Sequence, residues 1–459
     1  MNSLEKLYYW LPVPLQNIAV SLKGLQLKRI RKRGAYEEYK RQITNRNDWR
    51  AGQFESYQLE QLNRIVQFAS KNIPYYQRKY GTDIGTLDSL NTFRTRIPVL
   101  PREIVRSNPN DFISANSNNP IVVQTTGTTG SPLKVVCDAD SRQKNYAFFD
   151  AYLESLGLNT TARHIIIGGR VVVPPSSIKP PFWRDSKFQK SLLMSSYHLS
   201  DKFIDSYIDK IAEFKPEYIE AYPSSIYVIA RHMHNTGRQL KIKAIVTSAE
   251  TLYPEQREII EQSFQCKIYD QYGCAEMCLF VGQCTEGKYH IRPDYGFIEI
   301  IDDHGHTAPL GELGNVVCTG FINKQMPLIR YIIGDRAALD TNQTCNCGLN
   351  TPILSEISGR KDDMLITGDG RYVGRMSPVL KGLPVKEAQY IQNIPGEVLV
   401  NIVPDKMFKT SRDTISVVEA VTLRLGKNTR VKVNLVQDLV RGKGGKIKAV
   451  ISNINKNYR

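Results

Sequence analysis

What this sequence lacks narrows its class. No stretch approaches the roughly 18 consecutive apolar residues that a membrane-crossing helix requires, which argues against an integral membrane protein. The N-terminus lacks the charged, apolar and small-residue regions of a secretory signal. A chain without an export signal is expected in the cytoplasm, where thiols stay reduced. The eight cysteines among 459 residues then read as core thiols or metal ligands rather than a disulfide framework. There is no internal repeat and no low-complexity segment. Acidic residues are in deficit, with 45 Asp and Glu against 61 Lys and Arg, for a net charge of +16. Such a balance attracts polyanions: nucleic acid, anionic lipid heads, nucleotides or acidic sugars. No zinc finger, RNA-binding aromatic pair or helix-turn-helix pattern accompanies the basic residues, so nucleic acid is not the expected partner.

What is present is ordinary globular material, 41% hydrophobic, with a length that suggests about three folding units. Residues 1–50 run from apolar positions (Tyr8, Tyr9, Trp10, Leu11, Leu15, Ile18, Leu22) into the basic block Lys28-Arg29-Ile30-Arg31-Lys32-Arg33. Two readings stand: a peripheral membrane anchor, or a helix packed on the main body with its basic face solvated. Residues 51–361 are expected to form a large α/β domain. Its first part has helical spacing at Leu59, Leu62, Ile65, Val66 and Ala69. From about 120, short β-branched runs alternate with amphipathic stretches, which predicts strands alternating with helices. Gly296–Ile301 and Leu313–Thr319 read as a hairpin in an antiparallel or barrel-like unit. A polar, glycine-rich hinge at 367–371 leads into a small, basic, α/β tail, so 362–459 is expected to be a mobile lid domain.

Five local patterns carry chemistry. Gln124-Thr125-Thr126-Gly127-Thr128-Thr129-Gly130-Ser131-Pro132-Leu133-Lys134 follows an apolar run. Its two glycines, four threonine hydroxyls and string of backbone amides suit a polyphosphate, with Lys134 adding charge. It is neither the P-loop nor the dinucleotide fingerprint. Tyr272-Gly273-Cys274-Ala275-Glu276 puts a carboxylate at a strand end, where it can hold magnesium. Arg330-Tyr331-Ile332-Ile333-Gly334-Asp335 offers an aspartate that can accept two ribose hydroxyls. Gly359-Arg360-Lys361-Asp362-Asp363 and Gly444-Gly445-Lys446 complete the set. Each alone is weak; their order over more than 300 residues is not.

Together the five elements resemble the adenylate-forming superfamily, and within it the phenylacetate–CoA ligase branch and the CapK-type proteins of polysaccharide biosynthesis clusters. The likeness covers roughly residues 60–455. It implies that Thr125, Thr126, Gly127, Thr128, Thr129 and Gly130 embrace the ATP phosphates, with Lys134 beside them. Ser248, Ala249 and Glu250 would line the adenine, Tyr272 would stack on it, and Glu276 would bind magnesium. Asp335 would hold the ribose hydroxyls, and Arg360 would contact ribose or phosphate. Asp362 would be the hinge of the small domain, and Lys446 would reach the carboxylate and α-phosphate. Two departures stand out. Gly368-Asp369-Gly370-Arg371-Tyr372-Val373-Gly374 replaces the Gly-Val-Asn-x-Phe-Pro of phenylacetate-type ligases, which leaves CoA open as the acceptor. Lys134 lies one residue further from the loop than in the common Gly-x-Pro-Lys pattern.

Cys284 and His290, six residues apart, precede Cys345-Asn346-Cys347-Gly348. Two thiols one residue apart on a polar turn, with a Cys/His pair elsewhere, can complete a tetrahedral structural zinc site. The alternative is four reduced side chains with no metal. Phenylacetate-type proteins are similar in carrying a Cys-x-His and Cys-x-Cys arrangement.

The expected activity is therefore ATP-dependent activation of a carboxylate as acyl-AMP, followed by transfer to CoA, an amine or a hydroxyl. The CapK likeness implies capsule or O-antigen assembly, a small carboxylate or uronic-acid substrate, and a lipid-linked glycan acceptor. Contact with the inner face of the membrane would follow. The rival is a non-catalytic nucleotide- or polysaccharide-binding component of a glycan-assembly complex.

Overall fold

The structure is a computed structural model that describes residues 3–115, 119–124, 133–174, 177–200, 202–360, 365–368, 372–373, 376–380, 383–440 and 449–454. Three helices open the chain: α1 (Ser3–Trp10), α2 (Val13–Arg31) and α3 (Tyr36–Asn45). Four more follow, α4 (Ala51–Asn72), α5 (Pro74–Tyr80), α6 (Leu90–Arg96) and α7 (Arg102–Ser107). Leu62, Ile65, Val66 and Ala69 of α4 recur at helical spacing and enter one core, as the periodicity predicts. Pro74 opens α5, where the missing N–H costs nothing, and Gly81 ends it at φ +72°.

The strand pair β1 (Ile121–Gln124) and β2 (Lys134–Cys137) is antiparallel and sets Gln124 opposite Lys134. Helix α8 (Ala139–Ser155) is capped by Asp138, whose carboxylate accepts from the Ser141 amide at 2.7 Å. The strands that follow are β3 (His164–Gly168), β4 (Trp183–Ser186), β5 (Ser191–Ser195), β6 (Tyr218–Ala221), β7 (Ala244–Ser248), β8 (Lys267–Gly273), β9 (Phe280–Gln283), β10 (Tyr289–Ile291), β11 (Gly296–Ile301), β12 (Gly314–Gly320), β13 (Tyr331–Leu339) and β14 (Ile353–Arg360). Helices α9 (Ile204–Phe214), α10 (Pro223–Thr236) and α11 (Pro254–Phe264) lie between them.

Among the described residues these twelve strands form one sheet, in the order β11-β12-β13-β14-β10-β9-β8-β7-β6-β3-β5-β4. Pairing is parallel from β5 through β3, β6 and β7 to β8, and antiparallel from β8 to β11. The expected α/β layer and hairpin unit are thus halves of one continuous sheet. The parallel half is buried on both faces, as such sheets must be. Ile245 of β7 enters the core shared with α9, α10 and α11, while its neighbours Ala244 and Val246 join Leu153 near the end of α8 on the other face.

The C-terminal region has its own sheet and core. Strands β15 (Leu365–Ile366) and β16 (Tyr372–Val373) form a pair. Strands β17 (Val385–Ile394), β18 (Glu397–Pro404), β19 (Arg430–Leu435) and β20 (Val450–Ser452) are ordered β19-β18-β17-β20, with α12 (Thr410–Leu425) between β18 and β19 in the chain. Leu365, Tyr390, Val400, Val417 and Val421 are among the residues of that core.

Candidate active site

Several of the residues singled out in the sequence lie where parallel strands end. Tyr222 follows β6 and the segment Ser248-Ala249-Glu250 ends β7, beside Gln271 of β8 in register. The crevice outside the carboxyl ends of such strands is where open α/β sheets bind ligands. Glu250 turns back across this edge: its Oε2 accepts from the Ser224 amide, at the start of α10, at 3.0 Å. Ala249 makes the turn with φ +71°, a left-handed conformation that is strained for a residue with a Cβ. Beside it, the buried Ser224 and Ser225 hydroxyls find no hydrogen-bond partner among the described residues.

Tyr272 and Asp335 meet from opposite halves of the sheet. The Tyr272 hydroxyl donates to Asp335 Oδ2 at 2.8 Å. Burial, then the Asp335 charge and hydrogen bond, push the Tyr272 phenol well above its ordinary value, so it remains a donor. Asp335 was expected just after a glycine turn; it lies inside β13, paired in register with Arg360 of β14. The glycine has a different use here. Gly334 sits within the strand at φ +93°, and a Cβ there would lie 3.4 Å from Arg102 Nη1. Glu276 follows the end of β8, is buried, and accepts a weak hydrogen bond from the Tyr331 hydroxyl at 3.4 Å. A buried carboxylate on a turn after a strand end is a hard oxygen donor of the kind magnesium takes.

Sequence reasoning missed Arg102, which no local pattern marks because its neighbours Gly334 and Tyr331 lie more than two hundred residues away. Its buried Nε has no partner among the described residues. The role of Arg330 was also missed. Its Nε and Nη2 donate to the two Glu299 oxygens at 3.0 and 2.9 Å, and Nη1 donates to the Arg94 and Ile97 carbonyls at 2.6 Å. This buried clamp starts β13 and so sets where Asp335 falls.

The four expected zinc ligands come together. Cys284 follows β9, His290 lies in β10, and Cys345 and Cys347 occupy the loop between β13 and β14. Their donor atoms all lie within 4.8 Å of one another. Cys284 Sγ is 3.6 Å from Cys345 Sγ, and Cys347 Sγ is 3.4 Å from His290 Nε2. Those separations approach the edges, about 3.8 Å between sulfurs, of a tetrahedron built on zinc–sulfur bonds of about 2.3 Å. His290 Nδ1 is held by Thr351 Oγ1 at 3.0 Å, which orients Nε2 toward the thiols. Burial lowers the His290 pKa to about 4, which keeps the ring neutral, as a ligand must be. A metal here would close the loop joining the strands of Asp335 and Arg360.

Lys134 is exposed at the loop end of the β1–β2 pair, opposite Gln124. Thr125, Thr126, Gly127, Thr128, Thr129, Gly130, Asp362 and Lys446 lie outside the described residues, and the backbone of Arg360 is described without its side chain.

Known proteins sharpen the picture. Residues 365–453 match the family model of the CapK C-terminal domain. Protein CapK of Staphylococcus aureus is 28% identical over 463 residues, covering 98% of this chain and 100% of its own. A phenylacetate-coenzyme A ligase of Thermus thermophilus is 26% identical over 71% of this chain and 75% of its own. The fold is shared with a crystal structure of 2-hydroxyisobutyryl-CoA ligase in the postadenylation state, at a TM-score of 0.71 and 20% identity, covering 89% of this chain and 91% of that one. Fold and relatives point the same way: the chain is similar to phenylacetate-coenzyme A ligases over about 70% of its length and shares the fold of a CoA ligase. Its likeness to protein CapK runs over almost the whole chain.

Proposed function

We propose that the protein activates a carboxylate with ATP and transfers the resulting acyl group to an acceptor in capsule or O-antigen polysaccharide assembly. The observation that carries this reading is the meeting of Tyr272, Asp335 and the register partner Arg360 at one place, near the strand ends that hold Ser248, Ala249, Glu250 and Glu276. Tyr272 would offer a ring to the adenine and fix Asp335 for the ribose hydroxyls. Ser248, Ala249 and Glu250 would line the base. The amides of Thr125–Gly130, with Lys134, would take the phosphates, and Arg360 would add a positive charge near the ribose. Asp362 would let the small domain turn.

Two anions must approach when a carboxylate attacks the α-phosphorus, so catalysis here is positioning plus charge compensation. Magnesium, bound through Glu276, would offset the charge that builds on pyrophosphate. Lys446 would neutralise the attacking carboxylate and the α-phosphate, then withdraw with its domain so that the acceptor enters. Closure of that domain would keep water from the mixed anhydride. Cys284, His290, Cys345 and Cys347 would hold a structural zinc.

The substrate class we favour is a small carboxylate or a uronic acid. CoA serves the relatives named as CoA ligases; the altered segment after residue 367 leaves CoA, an amine or a hydroxyl open as the acceptor here, a lipid-linked glycan being one that suits a +16 chain. Such an acceptor would place the enzyme on the inner face of a membrane as a peripheral protein. The test is ATP–pyrophosphate exchange against aryl acids, amino acids, hydroxy acids and uronic acids. Exchange with one class names the acid. A folded protein that binds no ATP ends the reading.

A further inference from the structure

The N-terminal helices pack with their amphipathicity inverted. Helix α2 lies on β4 through its polar and small residues, and Gln16, Ser21 and Gly24 are the ones buried. Each has a specific partner. Gln16 Oε1 accepts from Arg184 Nε at 2.5 Å. Asn17 Oδ1 accepts from the Asp185 amide at 3.0 Å. Ser21 Oγ accepts from the Lys187 amide at 3.1 Å and donates to the Asp185 carbonyl at 3.3 Å. At Gly24 a Cβ would fall 2.5 Å from Ser186 Oγ and 3.0 Å from Gln189 Oε1, so a larger residue would have to push these side chains aside.

The opposite side of α2 faces solvent and is apolar. Leu15, Ile18 and Leu22 recur at three and four residues, which puts them on one stripe, and they are 46%, 55% and 56% exposed. Leu7 and Trp10 extend the apolar surface through α1, Trp10 being 88% exposed. Phe188, in the turn that packs beside α2, and Val171, whose carbonyl accepts from the Tyr9 hydroxyl, are exposed near the same helices. Arg29 continues the stripe two turns further, and Lys23, Lys28 and Arg33 are exposed around it. Single exposed apolar residues are unremarkable. A continuous stripe held outward by hydrogen bonds on the opposite face marks an interaction surface.

We propose that this stripe on α1 and α2 docks on an anionic lipid bilayer, with the helices lying in the boundary between headgroups and acyl chains. Charge selects the occupant. The apolar stripe runs into exposed cations, the pattern of helices that lie in the interface of anionic membranes. A second copy of this chain would bring the same cations and the same +16 charge to a self-complementary contact, where they would repel. The surface gives residue-level content to the membrane contact proposed above, yet it stands without the adenylation chemistry.

The test uses the full chain and flotation with vesicles of phosphatidylcholine alone or mixed with phosphatidylglycerol. Flotation is expected with the anionic vesicles and should weaken as salt rises. The pair Ile18→Asn and Leu22→Asn should weaken it on the order of tenfold or more, and each neutralised charge at Lys28 or Arg29 about fivefold. These side chains are exposed, so the melting temperature and ATP affinity of the variants should match the wild type, which separates failure of this surface from failure of the site. Absence of flotation on anionic vesicles would overturn the proposal, as would flotation unchanged in the Ile18/Leu22 pair. A dimer in sedimentation that the same pair dissolves would assign the stripe to a second copy and also overturn it.

Discussion

The hydroxyl of Tyr272 and the carboxylate of Asp335 are joined by a 2.8 Å hydrogen bond across sixty-three residues of sequence. Tyr272 ends the parallel half of the sheet and Asp335 belongs to the antiparallel half, so this bond ties the two halves together at the proposed nucleotide. Tyr272→Phe keeps the ring and removes the donor. A hydrogen bond to a charged acceptor contributes about 1.5–3 kcal/mol, so ATP affinity should fall roughly tenfold. Asp335→Ala should cost more. Calorimetric titration with ATP measures both, and affinity unchanged in either variant would remove the pair from the nucleotide site.

Metal content checks the Cys284, His290, Cys345 and Cys347 cluster. About one zinc per chain is expected by elemental analysis, in keeping with a single tetrahedral site. Cys345→Ser combined with Cys347→Ser should abolish it and lower the melting temperature, and prolonged chelation should do the same to the wild type. Metal-free protein as stable as the untreated sample would leave the four side chains as ordinary reduced residues.

The Arg330–Glu299 clamp makes a prediction about stability alone. Both side chains are almost wholly buried. Glu299→Gln preserves volume but leaves the guanidinium without its counter-charge, and breaking one partner of such a pair costs about 3–5 kcal/mol. Urea unfolding should show that loss. A loss under about 1 kcal/mol would mean that the pair behaves as a solvated one.

Asp270 predicts a pH dependence. Its carboxyl accepts from Thr247 Oγ1 at 2.7 Å and from the Tyr289 hydroxyl at 3.1 Å, but burial dominates and raises its pKa from 3.8 to about 6. Between those values the folded protein binds the proton that the unfolded chain has released. Stability contributed by this group is therefore complete below about pH 4 and is lost as pH rises through about 6. Asp270→Asn should flatten that part of the stability profile in urea titrations from pH 4 to 7. Parallel profiles for the two proteins would show that Asp270 titrates as an exposed carboxylate does.

The fold was legible where chemistry is local. The spacing of Leu62, Ile65, Val66 and Ala69 marked α4, and the β-branched runs alternating with amphipathic stretches after about residue 120 marked the α/β layer, because strands and helices differ in period. The Cys284, His290, Cys345 and Cys347 set was legible because side chains of that type and spacing have few other uses. Asp335 was recognised through its motif but placed after a turn; its strand depends on pairing with Arg360 and on the Arg330–Glu299 clamp, both long-range. Arg102 was invisible for the same reason. The N-terminal segment was read as apolar and basic, but which face would point inward depended on Arg184 and Ser186, distant residues that welcome the polar side of α2.

The most direct test of the account is ATP–pyrophosphate exchange by the wild type and by Lys446→Ala, each with the carboxylate that supports exchange best. The account predicts exchange in the wild type and a loss of at least about a hundredfold in the variant, the scale of removing one transition-state charge contact, with ATP binding retained. Exchange undiminished in Lys446→Ala, or a folded wild type that binds no ATP and exchanges with no acid, would contradict it.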